Sequence, residues 1–343
     1  MRRLALLLPL ILACSAPADD DDAAAAASES GVVVGDRDFV RVMQGGATVP
    51  ERYRPLLDAF GKLSSYCTVT HVGNGIAIAA GHCFNAPRTR ANDLPCAGYT
   101  VDWGYRRDEP AYLRSACRIV LAAEYSVSRD YAVFVVDPVP PVKVAVDLAG
   151  RAADGRRITM FGHPLNRGLE WSRTCTVEPS SNLLAIGSDG TWGAGMFTHQ
   201  CDSERGSSGS ALLDDETLAI VGIHNGGVQP WNYATHVVDT PLAELLDPSF
   251  NVPPVVTFTP PTPVGTARGA ITFAVDASDP DGHIAKVTFT LPGGASAVVE
   301  EPPWEVRFDS TTAADGAYTV VATATDARGA ESRAQRSLRI QNL

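Results

Sequence analysis

Gly206-Ser207-Ser208-Gly209-Ser210-Ala211-Leu212-Leu213, followed after one turn by Ile220-Val221-Gly222-Ile223-His224-Asn225-Gly226-Gly227, is the stretch on which the reading of this chain turns. Glycines on both sides of a serine permit a tight turn that exposes its Oγ. The same turn aims the backbone N–H groups of Gly206 and Ser208 at one spot, which is an oxyanion hole in outline. A Gly-Ser linker has similar letters, but a linker does not run into an apolar strand and then a second glycine turn.

Two motifs upstream supply what such a serine needs. In Ile78-Ala79-Ala80-Gly81-His82-Cys83 a strand of small apolar residues delivers a histidine beside a cysteine within bridging range of Cys67. An imidazole titrates near neutrality and suits general-base work; the plainer alternative is a solvated loop histidine. In Ser128-Arg129-Asp130-Tyr131-Ala132-Val133 an acid stands immediately ahead of an apolar strand. A carboxylate buried there needs a partner, and an imidazole N–H is a suitable one because the acid then fixes the ring's tautomer. Alone, Asp130 reads equally as an acidic turn residue.

Around these motifs, residues 32–248 alternate short β-rich runs, clearest at 69–79, 132–136, 158–161 and 218–223, with glycine-containing turns. The only helical pattern is a short one over 241–246, so the class is all-β, an antiparallel barrel or sandwich. Residues 249–254 read as a proline-bearing linker. Residues 255–343 hold no cysteine and read as strands over 271–275, 286–291, 304–308, 318–324 and 336–340, the spacing of a small β-sandwich. Asp276, Asp279 and Asp281 lie close together there, and Asp279-Pro280-Asp281-Gly282 is read as a turn rather than a metal loop.

At the other end, Arg2 and Arg3 precede an apolar run from Leu4 to Ala13, the pattern of an export signal over residues 1–14. Residues 15–31, with Asp19 to Asp22 and Ala23 to Ala27, have nothing to bury and read as a tether. With Cys14 set aside, the six cysteines Cys67, Cys83, Cys96, Cys117, Cys175 and Cys201 favour disulfides in an exported chain, with fifteen pairings open. The absence of a Cys-x-x-Cys pair argues against a zinc or redox site. A formal charge of −11 over 343 residues argues against a nucleic-acid footprint.

Taken together, His82, Asp130 and Ser208 occur in the chain order His, Asp, Ser, which is the order of the chymotrypsin fold and not of the α/β-hydrolases or subtilisins. Residues 32–248 resemble trypsin-like serine endopeptidases, most closely the bacterial glutamyl-endopeptidase branch, through Ala80-Gly81-His82-Cys83, Asp130-Tyr131-Ala132, Gly162-His163-Pro164 and the two glycine turns around Ser208 and His224. The resemblance implies a double six-stranded antiparallel β-barrel with the triad in the cleft. It further implies that Gly206 and Ser208 supply the oxyanion hole and that no metal or organic cofactor is needed. It implies the pairing Cys67–Cys83, with Cys96–Cys117 and Cys175–Cys201 as the remaining neighbours. Gly31-Val32-Val33-Val34-Gly35 resembles the start of mature enzymes of this class, while Ser207 stands where zymogen-activated trypsins carry an aspartate.

For the residue before the cut the resemblance points two ways. His224 with Ser203 favours Glu, whereas Asp202 matches the pocket-floor acid that selects Arg or Lys; Gly226 and Gly227 are counted with them as substrate-binding. Leu12-Ala13-Cys14 resembles a bacterial lipobox, implying lipidation of Cys14 and an outer-membrane or cell-surface lipoprotein, otherwise a secreted protein, with contact to the membrane only through that anchor. Residues 255–343 resemble bacterial immunoglobulin-like modules. The expectation is a monomeric exported serine endopeptidase acting on proteins or peptides. Its competitors are an inactive surface-binding protein on the same scaffold and an esterase.

Overall fold

The computed structural model describes residues 31–183, 193 and 195–342. The export signal, Cys14 and the tether up to residue 30 lie outside the described residues. The rest folds almost entirely as strands, because valine, isoleucine, threonine and aromatic residues alternate with glycine turns through most of the chain.

Strands Phe60–Leu63, Thr68–Gly73, Ile76–Ala79, Asp130–Asp137, Leu113–Tyr125 and Thr100–Trp103 pair in that order and close on themselves, with Ala91–Leu94 added outside. They make a six-stranded barrel. The second barrel runs Glu170–Thr176, Arg157–Gly162, Ala211–Asp214, Ile220–Val228, Trp231–His236 and Met196–His199, with Val40–Arg41 added on its first strand. Its seam is closed by the Val177–His199 bridge and by Glu178 N–H donating to Thr198 O at 2.8 Å. The Cys175–Cys201 disulfide spans the same seam.

One apolar core runs through both barrels. Phe60 of the first stacks on Phe161 of the second at 5.1 Å, and Tyr53 meets the edge of Phe161 at 5.4 Å. Each is fully buried. Removal of such side chains from water contributes roughly 1.5–3 kcal/mol apiece, so the barrels are held as one body and the cleft between them is fixed. The helical turn Leu242–Leu245 packs Leu242 and Leu245 onto this core, where a short helix was expected over 241–246.

Beyond the linker, Val255–Thr259, Ala270–Ser278 and Glu305–Asp309 form one sheet, and Gly265–Ala267, Glu331–Ile340, Gly316–Asp326, Ile284–Thr290 and Ser296–Val299 another. Phe273, Val287, Phe289, Val320 and Ala322 fill the space between them, a β-sandwich core. Asp281 N–H donates to Asp279 Oδ1 at 3.3 Å, so the Asp-Pro-Asp-Gly run does form a turn. Arg328, on the turn after Gly316–Asp326, reaches back to Ser249 O at 2.8 Å and Asp281 Oδ2 at 3.0 Å. Asn251 donates to Asp326 Oδ2 at 2.9 Å. The linker is therefore tied to the sandwich and not loose.

Candidate active site

His82 sits in the tight turn Gly81–Phe84 that follows strand Ile76–Ala79. Gly81 is required there, because a Cβ at that position would lie 2.1 Å from Glu124 O. The Cys67–Cys83 bridge ties the turn to the strand beginning at Thr68, and the other bridges are Cys96–Cys117 and Cys175–Cys201. Asp130 opens the adjacent strand, is 3% exposed, and receives His82 Nδ1 at 2.6 Å on Oδ2 and His82 N–H at 2.9 Å on Oδ1. Two residues of the second barrel hold it. Asp130 N–H donates to Thr235 Oγ1 at 2.9 Å and Asn225 Nδ2 donates to Asp130 O, so the His82–Asp130 pair is registered against the barrel that carries the serine.

Ser208 lies on the turn between Cys201 and strand Ala211–Asp214, with its Oγ donating to Asn225 O at 3.2 Å. Asn225 is the extra residue of a bulge, since the register of Ile220–Val228 against Trp231–His236 slips between His224 and Gly226. Bulges re-aim backbone groups beside sites of this kind. Gly206 and Gly209 have φ of 97° and 85°, a region glycine alone enters without strain, and a Cβ on Gly209 would lie 2.3 Å from Thr68 O. Within the turn, the N–H groups of Ser207, Gly209 and Ser210 are taken by Glu204 O, His224 O and Ser207 O. Those of Gly206 and Ser208 have no acceptor among the described residues. His82, Gly206 and Ser208 line one cavity of about 210 Å³ together with the Cys67–Cys83 bridge.

The residues expected to form the specificity pocket divide into two groups. His224, Gly226 and Gly227 share strand Ile220–Val228. His224 is 1% exposed, and burial, with the nearby charge of His82 second, pushes it down to about 3. Its Nδ1 faces His199 Nε2 at 3.1 Å. Burial, and then His224, also holds His199 well below its ordinary range. Cys201 N–H donates to His199 Nδ1 at 3.2 Å, so the proton of neutral His199 is on Nε2 and is donated to His224 Nδ1. Neutral His224 then carries its own proton on Nε2.

Asp202 and Ser203 are engaged by the N-terminal arm. Val34 N–H and Asp38 N–H donate to the two oxygens of Asp202 at 2.8 and 3.1 Å. Burial raises the Asp202 carboxyl while those two amides oppose the rise. Ser203 Oγ accepts from Val32 N–H at 3.0 Å and donates to Asn232 Oδ1 at 2.7 Å. Gly227 abuts the same arm, its Cβ position lying 2.6 Å from a Val32 methyl. Ser207 is fully buried, and its Oγ accepts from Glu204 N–H at 3.3 Å. The sequence did not single out Asn225, Thr235, His199 or Asn232; the available signal was a group of polar residues on strands that are otherwise buried, Asn225 beside His224 and Asn232 with Thr235.

Residues 67–223 match the family model for a trypsin-like peptidase domain, and residues 254–329 match that for a bacterial Ig domain. No curated protein matches the chain. Among solved structures, the secreted serine protease VesC from Vibrio cholerae is 14% identical with a TM-score of 0.48, over 89% of this chain and 71% of that one. The active form of the Rv3671c protease from M. tuberculosis is 16% identical with a TM-score of 0.41, over 65% and 96%. Kallikrein-related peptidase 10 is 17% identical with a TM-score of 0.42, over 56% and 95%.

Proposed function

The chain carries a trypsin-like peptidase domain followed by a bacterial Ig domain, and on that premise we propose that this serine endopeptidase works through His82, Asp130 and Ser208. Ser208 Oγ attacks the scissile carbonyl carbon as His82 takes its proton. Asp130 holds His82 Nδ1–H and stabilises the imidazolium that forms. The carbonyl oxygen, now negative, takes up the N–H groups of Gly206 and Ser208. Collapse breaks the C–N bond, His82 returns the proton to the leaving amine, and water repeats the sequence on the acyl-enzyme. The observation that carries this reading is the pair of unused N–H groups at Gly206 and Ser208, on either side of a Ser207 amide bonded to Glu204 O and beside His82 in one cavity. A buried donor is rarely left without an acceptor unless a ligand supplies one.

Specificity for an acidic residue before the cut is supported by the order of protons behind the site. The Cys201 amide, His199 and His224 pass a fixed polarity that leaves His224 a donor across the neutral pH range, suited to a carboxylate. Asp202, the residue that would select Arg or Lys, already gives both oxygens to arm amides. Export, with lipidation at Cys14, is supported by the Arg2-Arg3 start, the apolar run ending at Ala13 and three disulfides, which persist in oxidising compartments.

Incubation of the full chain with a fluorophosphonate tests the nucleophile. The expected result is one covalent adduct on Ser208 by mass, absent in Ser208→Ala. An unlabelled protein, or labelling elsewhere that survives the substitution, contradicts the reading and returns the inactive binding scaffold as the better account.

A further inference from the structure

The cavity beside Ser208 contains none of Asp202, Ser203, His224, Gly226 or Gly227. Its lining instead includes His82, which in the proposed mechanism hands its proton to the leaving amine. It is therefore the space into which the peptide beyond the cut extends. At about 210 Å³ it is smaller than a typical small-molecule site, a size for one or two side chains.

Arg205 is the one side chain of fixed charge lining it. Arg205 is exposed, and its guanidinium makes no hydrogen bond or ion pair among the described residues. The neighbouring acid cannot neutralise it, because Glu204 is held by Arg37 through two bonds of 2.9 and 3.0 Å and by Arg167 at 2.6 Å. Those pairs hold the Glu204 carboxyl below its ordinary range, Arg37 first. The Arg205 backbone is nevertheless fixed. Its carbonyl accepts from Leu165 N–H, and the following Gly206 packs against His163 O, where a Cβ would lie at 2.7 Å. A positioned backbone and an unpaired guanidinium stand beside the nucleophile of a chain whose net charge is −11.

We propose that Arg205 selects a carboxylate on the leaving-group side, carried by the first or second residue after the scissile bond. The inference rests on the peptidase reading above and adds a second point of substrate selection to it. Guanidinium and carboxylate pair with two parallel N–H···O bonds, and pairing at a partly exposed site is modest and sensitive to salt.

The test uses the full chain with internally quenched, C-terminally amidated peptides that carry Asp, Asn or Lys at the first or the second position after the cut. A further pair ends two residues beyond the cut in a free carboxylate or an amide. Wild-type protein is expected to favour Asp over Asn and Lys in kcat/KM by about threefold to tenfold. That preference should shrink in about 0.5 M salt, vanish in Arg205→Gln and reverse in Arg205→Glu. A gain confined to the free-carboxylate peptide assigns the site to a chain terminus instead of an acidic side chain. Equal rates for Asp, Asn and Lys, or an Asp preference that persists in Arg205→Glu, overturn the inference while leaving the peptidase reading intact. Cleavage of none of the peptides overturns both.

Discussion

At the scale of single residues, the site is a set of protons whose places are fixed by backbone groups. Asp130 accepts both the Nδ1–H and the main-chain N–H of His82, so Asp130→Asn would present an amide where an acceptor is needed. The tautomer of His82 would then be wrong for base catalysis, and turnover should fall by about 10³–10⁴-fold with the fold retained. Measurement of kcat beside a melting curve separates that loss from unfolding.

A second residue-scale expectation concerns His163. It is fully buried, burial lowers it to about 4, and its Nε2 has no partner among the described residues. Between about pH 6.5 and pH 4 the unfolded chain binds this proton and the folded chain does not, so stability falls as pH falls through that window. The contribution is up to ~1.4 kcal/mol per pH unit. His163→Gln should flatten the fall in melting temperature between pH 7 and pH 4, whereas identical pH slopes for the two proteins would remove His163 as the cause.

At the scale of elements, the three motifs were legible in the sequence because each pairs a chemical residue with a structural signal next to it. Gly81 admits the close approach to Glu124 O that sets His82, and Gly206 and Gly209 take the positive φ of the serine turn. The partners of those motifs were not legible. Asn225 and Thr235 act on Asp130 from strands far along the chain, and only barrel closure brings them there. The role expected of Asp202 as a pocket floor depended on an unoccupied carboxylate, and a segment some 170 residues upstream occupies it. Long-range pairing of that kind has no local pattern to read.

The Cys67–Cys83 bridge belongs to this scale as well. It closes a separation of 16 residues and fastens the histidine turn, so Cys67→Ser should cost about 2–5 kcal/mol of stability. An unchanged melting curve would show that the bridge does not hold the turn.

At the scale of the whole molecule, two barrels share one core and the immunoglobulin-like sandwich is fastened to the linker by Arg328 and Asn251. The all-β class and the order of the domains follow from strand-length runs and turn residues that the sequence displays openly. The way the domains meet depends on side chains such as Arg328, whose role appears only when Ser249 and Asp281 lie beside it. Arg328→Ala should leave peptide turnover unchanged while exposing the linker at residues 249–254 to an added protease. Equal resistance of the two proteins to nicking would show that the tie contributes nothing.

The central claim is that Ser208, which lines one cavity with His82 and Gly206, cleaves peptides after acidic residues. Its most direct measurement is turnover of an internally quenched library, randomised at the residue before the cut, by wild-type protein and Ser208→Ala. The account predicts cleavage after Glu in the wild type and none in the variant. Cleavage after Arg or Lys would transfer selection from His224 to Asp202, and cleavage that survives in Ser208→Ala would contradict the account outright.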